Sequence, residues 1–150
     1  MLCSRKTIVS GSLLLLFVVL TGCGSGPKIV KVAGVLTYKG QPVKNAYIDF
    51  VPEKGGRPAV GETDEQGHFE AMYESTKNQK GVTAGKNKIV LRPKADMVGA
   101  TKAEQEAYMM GKKLPMPKDR QELFDKYSDA KSTKYVTIES STSDLHLDLD

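Results

Sequence analysis

Few residues in this 150-residue chain have the types and spacing that could do chemistry. Asp144, His146 and Asp148 stand at alternate positions and could offer three ligands from one strand face. They alternate strictly with Leu145, Leu147 and Leu149, however, and a solvated outer face accounts for that pattern with no metal. The only other histidine, His68, follows the turn glycine Gly67 and reads as a surface residue. Asp64-Glu65-Gln66-Gly67 has the look of a calcium turn. A calcium ion needs six or more oxygens, and the bidentate glutamate of an EF-hand loop is missing at its offset, so the turn reads as a hairpin. No His-Glu-x-x-His, no phosphate-binding glycine loop and, after residue 22, no Gly-x-Ser-x-Gly occurs. The chain therefore reads as non-enzymatic, with no cofactor and no metal.

Two other groups could make contacts. Lys77, Lys80, Lys86, Lys88, Arg92 and Lys94 follow one another with no acid between them. Lys86, Lys88 and Arg92 share one strand parity and form a candidate anion-contact face, for phospholipid, lipopolysaccharide or wall polymer. The alternative is a solvated face balanced by acids on a neighbouring strand, such as Asp144 and Asp148. Further on, Tyr108, Met109, Met110, Phe124 and Tyr127, with Met116, form a candidate binding lip. The alternative there is packing of the segment onto the rest of the domain.

The elements that must position these residues are mostly short strands. Val30, Val32, Gly34, Leu36 and Tyr38 share one parity, and Ala46, Ile48 and Phe50 another. Lys39-Gly40-Gln41-Pro42 reads as a turn, because proline is excluded from the interior of a ladder. Pro52 to Pro58 is a loop, 59–63 a brief strand, 64–67 a tight turn and 68–73 a strand with Phe69, Ala71 and Tyr73 inward. Residues 75–83 read as polar loop, and 85–92 as a strand with Asn87, Ile89 and Leu91 on one parity and Lys86, Lys88, Val90 and Arg92 on the other. Val136 and Ile138 supply the strand before the final Leu145, Leu147 and Leu149 alternation. About seven short strands separated by turns predict an all-β fold, a seven-stranded Greek-key β-sandwich. Residues 95–127 break the pattern and predict a helical insertion before the last two strands. Thr101 and Glu104 have capping-box spacing, Ala103, Ala107 and Met110 recur helically, and Gly111 ends the helix. Pro117 opens a second helix, with Leu123, Phe124 and Tyr127 as its apolar contacts.

The N-terminus carries an address. Arg5 and Lys6 precede an apolar run from Ile8 to Leu20, and small residues follow. That order is a secretory leader and not a fold element. The run is about 13 residues, short of the roughly 20 that span a bilayer as a helix. Its ending, Leu20-Thr21-Gly22-Cys23, resembles the bacterial lipobox. The resemblance implies that 1–22 are removed, that Cys23 carries the lipid, and that 23–28 form a tether to a domain over 29–150. The remaining cysteine, Cys3, lies in the leader, so the domain has no disulfide and no thiolate metal site. By analogy with sorting rules, Gly24 in place of aspartate favours the outer membrane, facing the periplasm, over the inner membrane. The chain carries 22 basic and 18 acidic side chains, and two of the basic ones are in the leader. Such a balance gives no reason to invoke nucleic acid.

The order of the pieces resembles a known family. Gly34-Val35, then Lys39-Gly40-Gln41-Pro42-Val43, Ala46-Tyr47-Ile48-Asp49-Phe50-Val51-Pro52, Thr63-Asp64-Glu65-Gln66-Gly67-His68-Phe69 and Ala84-Gly85-Lys86 is similar to the carboxypeptidase regulatory-like domain, a relative of transthyretin-like folds. The match runs from about Val32 to Leu91. Asn87 stands where tyrosine or histidine is common in that family, and the 95–124 insertion is longer than the domain requires.

Three functions are compatible with these features. The first is a monomeric, lipid-anchored envelope module that binds or scaffolds envelope proteins or glycans. The second is a hydrolase of the transthyretin-related type, which would need clustered His, Arg and Ser. The third is a carrier for a small apolar ligand, which would need a pocket near the insertion.

Overall fold

The computed structural model describes residues 26–73, 79–94, 106, 109–112 and 116–150. Among them eleven strands form: β1 (Ile29–Val30), β2 (Val32–Tyr38), β3 (Gln41–Pro42), β4 (Ala46–Pro52), β5 (Ala59–Glu62), β6 (His68–Tyr73), β7 (Gln79–Lys80), β8 (Val82–Thr83), β9 (Gly85–Pro93), β10 (Tyr135–Ile138) and β11 (Thr142–Leu149). One helix, α1, spans Lys118–Lys126. Cys23, the tether residues up to 25, Lys77, Thr101, Ala103, Glu104, Ala107 and Tyr108 lie outside the described residues.

Seven strands lie on one hydrogen-bonded path, in the order β10-β9-β4-β5-β6-β2-β11. β4, β5 and β6 form a meander, and β2 returns beside β6, which is the Greek-key connection. The path curls into two layers because β6 changes partner midway. His68 to Glu70 pair with β2, and Ala71 to Tyr73 pair with β5. The expected all-β sandwich is therefore present, with one difference in direction. The last strand, β11, joins β2 in parallel, with Leu147 opposite Leu36 and Leu149 opposite Tyr38. Periodicity shows which face a strand buries and says nothing of its partner or direction.

The buried parities are those the alternation predicts. Val32 and Leu36, Ala46, Ile48 and Phe50, Phe69 and Ala71, Ile89 and Leu91, and Leu147 and Leu149 fill the space between the layers. Phe50 and Phe69 meet across it with ring centroids 5.8 Å apart. Asn87 is fully buried on this inner face. Its amide nitrogen donates to the carbonyls of Thr83 and Gly85, both at 2.9 Å, and so braces the start of β9.

Two local expectations are corrected. Pro42 lies in the two-residue strand β3, opposite Thr37. A proline is tolerated there because β3 is a short edge. The polar stretch after Ser75 contains β7 and β8, which pair with β6 and β1 and are too short to show a period. The turn at 64–67 is as predicted. The Asp64 Oδ1 accepts the N–H groups of Gln66 and His68, at 2.9 and 2.8 Å. Gly67 sits at φ 78°, where a side chain is disfavoured.

Gly34 meets a different demand. A Cβ there would stand 2.0 Å from the carbonyl oxygen of Leu145. Only glycine lets β11 come this close to β2, at the register shift between Thr142 and Leu145.

The chain enters beside the start of β9. The Lys28 carbonyl accepts the Ala84 N–H at 2.8 Å, and β1 pairs with β8. The insertion departs from the other end of β9, after Pro93. At about 3.3 Å per residue the two ends of this strand are about 26 Å apart.

Candidate binding groove

The described part of the insertion returns beside β9, and with outer-face residues of β4, β5 and β9 it lines a groove. The Met110 N–H donates to the Glu106 carbonyl at 3.0 Å, and Gly111 follows at φ 76°; the rest of the expected first helix lies outside the described residues. Pro117 is the N-cap of α1, and its carbonyl accepts the Gln121 N–H at 2.9 Å. Leu123 and Phe124 on α1, and Tyr127 just after it, enter the main core. Beyond the helix the chain runs along the free edge of β9. The Tyr127 carbonyl accepts the Leu91 N–H at 2.8 Å, and the Lys134 carbonyl accepts the Ile89 N–H at 2.9 Å. The Ser132 hydroxyl donates to the Ile89 carbonyl. The segment therefore caps backbone groups that an open edge would leave for another chain.

Between this segment and the sheet lies a groove of about 1830 Å³. Its floor is set by strand register. Val60, Asp49 and Val90 lie side by side across β5, β4 and β9, with Val51 on the next row. Val90 is 3% exposed, yet stands outside the main core cluster. The opposite wall is formed by Met116, Pro117, Gln121 and Phe124.

At the centre of the floor Arg92 grips Asp49. Its Nε donates to Oδ2 at 2.6 Å and its Nη2 to Oδ1 at 2.7 Å. The guanidinium also lies 5.4 Å from the Tyr47 ring centroid. The Asp49 side chain is only 14% exposed, and a two-point pair holds a carboxylate in such a place far better than a single ammonium does. Arg120 braces the far wall, donating to the Asn45 carbonyl at 2.8 Å with its guanidinium 5.1 Å from the Phe124 ring centroid.

The candidate anion-contact face is charge-balanced. Lys86 pairs with Glu53 at 2.6 Å, Lys88 with Asp129 at 2.7 Å and Arg92 with Asp49. Glu53, bonded to Lys86, raises that ammonium above its ordinary pKa. Lys80 pairs with Glu70 and Lys94 with Glu62. The expected partners, Asp144 and Asp148, are engaged elsewhere. Asp144 lies 3.1 Å from His146, and Asp148 accepts from Thr37. β11 ends the strand path beside β2 and is not a ladder neighbour of β9, so its acids face other residues. Of the three basic residues only Arg92 lines the groove.

The candidate lip is also divided. Met109 and Met110 are 83% and 73% exposed. Phe124 and Tyr127 are buried, and the Tyr127 hydroxyl donates to the Asp150 carbonyl at 3.1 Å. Met116 does line the groove. Asp49, Val60 and Val90 were not singled out from the sequence. The available signal was Val90, the one apolar residue among Lys86, Lys88 and Arg92 on the polar parity of β9.

The groove has an apolar floor, one clamped charge pair and further lining charges of both signs, among them Lys44, Lys94, Lys112, Glu122 and Asp129. Among the described residues that line it there is no histidine or cysteine, and the one serine hydroxyl, that of Ser128, is tied to the Asp125 carbonyl at 2.8 Å. Such a lining suits binding. Compared with protein-family models, with curated proteins and with solved structures, the chain matches none.

Proposed function

We propose that the protein is a lipid-anchored, non-enzymatic module of the cell envelope that holds a segment of another envelope protein in this groove. The observation that carries the reading is Leu20-Thr21-Gly22-Cys23 behind a basic and then apolar leader. The resemblance to carboxypeptidase regulatory-like domains agrees with a binding role. Gly26 and Pro27 are exposed, and the chain is first held by the sandwich at Lys28 and Ile29, which suits a short tether before the domain. The chain joins the sandwich beside the start of β9, and the groove's lining reaches Arg92, Pro93 and Lys94 at the other end of that strand. The apolar floor of Val51, Val60 and Val90 beside a clamped charge fits a peptide with alternating apolar and polar side chains.

Two measurements test this. Cys23→Ala should move the protein from the detergent phase to the aqueous phase, since acyl chains supply the anchoring at about 0.8 kcal/mol per buried methylene. Equal partitioning of parent and variant would end the lipoprotein reading. A photoreactive residue at Gln121, inside the groove, should trap a reproducible envelope protein in intact cells, while one at Val35 on the opposite layer should not. Trapped glycan at Gln121 would replace the protein partner with a wall polymer, and equal adducts from both positions would remove the groove from the account.

A further inference from the structure

The two histidines of the chain are far apart in sequence, and the sheet brings them into one row. Val35 of β2 is the register partner of His68 on β6 and also of His146 on β11. Register partners point to the same face, and all three residues stand on the outward parity of their strands. Two strand spacings place the histidine Cα atoms about 9.6 Å apart. Only the short Val35 side chain lies between them. An imidazole from each side, with metal–nitrogen bonds of about 2 Å, reaches across that gap.

Each ring is already oriented by a carboxylate. The Nδ1 of His68 lies 3.4 Å from Asp64 Oδ2, and the Nε2 of His146 lies 3.1 Å from Asp144 Oδ1. A ring nitrogen that donates to a carboxylate fixes the tautomer and leaves the other nitrogen as a lone-pair donor. In the tautomers in which the ring nitrogen beside the carboxylate carries the proton, His68 offers Nε2 and His146 offers Nδ1. Both side chains are more than half exposed, so an ion can reach them. The neighbouring acids are occupied. Glu70 pairs with Lys80 at 2.8 Å and Asp148 accepts from Thr37. No group of three or more His, Cys, Asp or Glu suited to a metal occurs among the described residues. The protein thus supplies two ligands to any ion bound here, and water or a partner's side chain completes the shell.

We infer that His68 and His146 form a two-histidine site for a late first-row divalent ion, straddling Val35 on the layer opposite the groove. Imidazole suits copper, nickel and zinc, and a two-nitrogen site should follow the order in which copper(II) binds more tightly than nickel(II) or zinc(II). The site lies on the layer opposite the groove, and its test depends on neither the groove nor the proposed anchor.

The test is titration of the metal-free full chain in detergent with copper(II), nickel(II) and zinc(II), against a chromophoric competitor. One ion per chain is expected, with copper tightest and a higher urea midpoint for the copper-bound protein. His68→Ala and His146→Ala should each weaken copper binding by about tenfold or more, while the metal-free midpoints stay at the parent's value. Asp64→Asn and Asp144→Asn should weaken it by about tenfold through the orienting bonds. Binding unchanged in either single histidine variant would overturn the shared site. So would binding that survives in the double variant, or the lack of any saturable binding.

Discussion

Replacing Gly34 by alanine tests how the last strand is held, and the structure sets the scale. The new methyl carbon would lie 2.0, 2.7 and 2.9 Å from the carbonyl oxygen, carbonyl carbon and Cα of Leu145. Comfortable contacts begin at about 3.5 Å, so the edge strand would have to retreat by more than about 1 Å. All three atoms are backbone, and no rotamer change relieves them. Overpacking costs about 1–3 kcal/mol even where side chains can adjust. Against this, alanine narrows the unfolded ensemble and returns at most about 1 kcal/mol. The upper bound is detachment of β11, which would expose Leu147 and Leu149 at about 1.5–3 kcal/mol each. The expected loss is therefore between about 2 and 5 kcal/mol. Urea melts of residues 26–150, followed by far-ultraviolet circular dichroism, measure it. A smaller slope of stability against urea would identify detachment, because less surface would remain to be exposed. Gly61→Ala is the matched comparison. Its nearest neighbour is the Phe69 ring, with Cδ2 at 3.1 Å, and a ring can tilt, so the loss there should stay below about 1 kcal/mol. A Gly34→Ala midpoint within error of the parent's, or equal losses at the two glycines, would refute the close approach of β11.

Three further outcomes are expected. Gly67→Val should cost more than about 1 kcal/mol, since Gly67 has φ 78° and a Cβ there would stand 2.7 Å from the Leu36 carbonyl oxygen; His68→Ala beside it should stay within about 0.5 kcal/mol in the same melts. Phe124→Ala should cost about 3–5 kcal/mol, because the ring fills the core side of α1; a loss below about 1 kcal/mol would return it to the exposed lip. Burial raises the Asp64 carboxyl pKa, but the N–H groups of His68 and Gln66 and the His68 imidazole outweigh this and hold it below the ordinary value. A carboxyl lowered in the folded state stabilises above its unfolded pKa, and that contribution is lost as pH falls through the folded one. The stability difference between parent and Asp64→Asn should accordingly be largest near neutrality and shrink on acidification, and a difference constant with pH would remove Asp64 as its source.

The sequence displays some of this architecture and conceals the rest for identifiable reasons. Strand faces are legible because alternation is a local property: Ile48 and Phe50, Phe69 and Ala71, and Leu147 and Leu149 are all buried as their parity predicts. The turn at Asp64 and Gly67 is legible because its chemistry lies within four residues. Partners are another matter. Asp144 and Asp148 were expected opposite the basic parity of β9, while Glu53, Asp129 and Asp49 occupy those places. Register between distant strands is fixed by contacts that no window of sequence contains. Phe124 and Tyr127 resemble an exposed lip until α1 is docked, because an apolar residue on a short helix carries no mark of the surface it meets. For the groove, Val60, Asp49 and Val90 come from three strands and become neighbours only through the ladder.

The pairing of β11 with β2 also governs when the protein can exist as a folded object. Thr37 and Asp148, side by side in the finished sheet, are separated by 111 positions in the chain. An N-terminal half emerging from synthesis has β2 but not the strand that covers its outer flank, so one layer stays incomplete until the last residues arrive. Folds that close through such distant contacts form in milliseconds to seconds, slowly by the standard of small domains. A polypeptide that must pass a membrane as an extended thread benefits from that delay. Under the proposed export, the wait for β11 would keep the leading segment threadable, and the sandwich would lock only once the final strand had arrived.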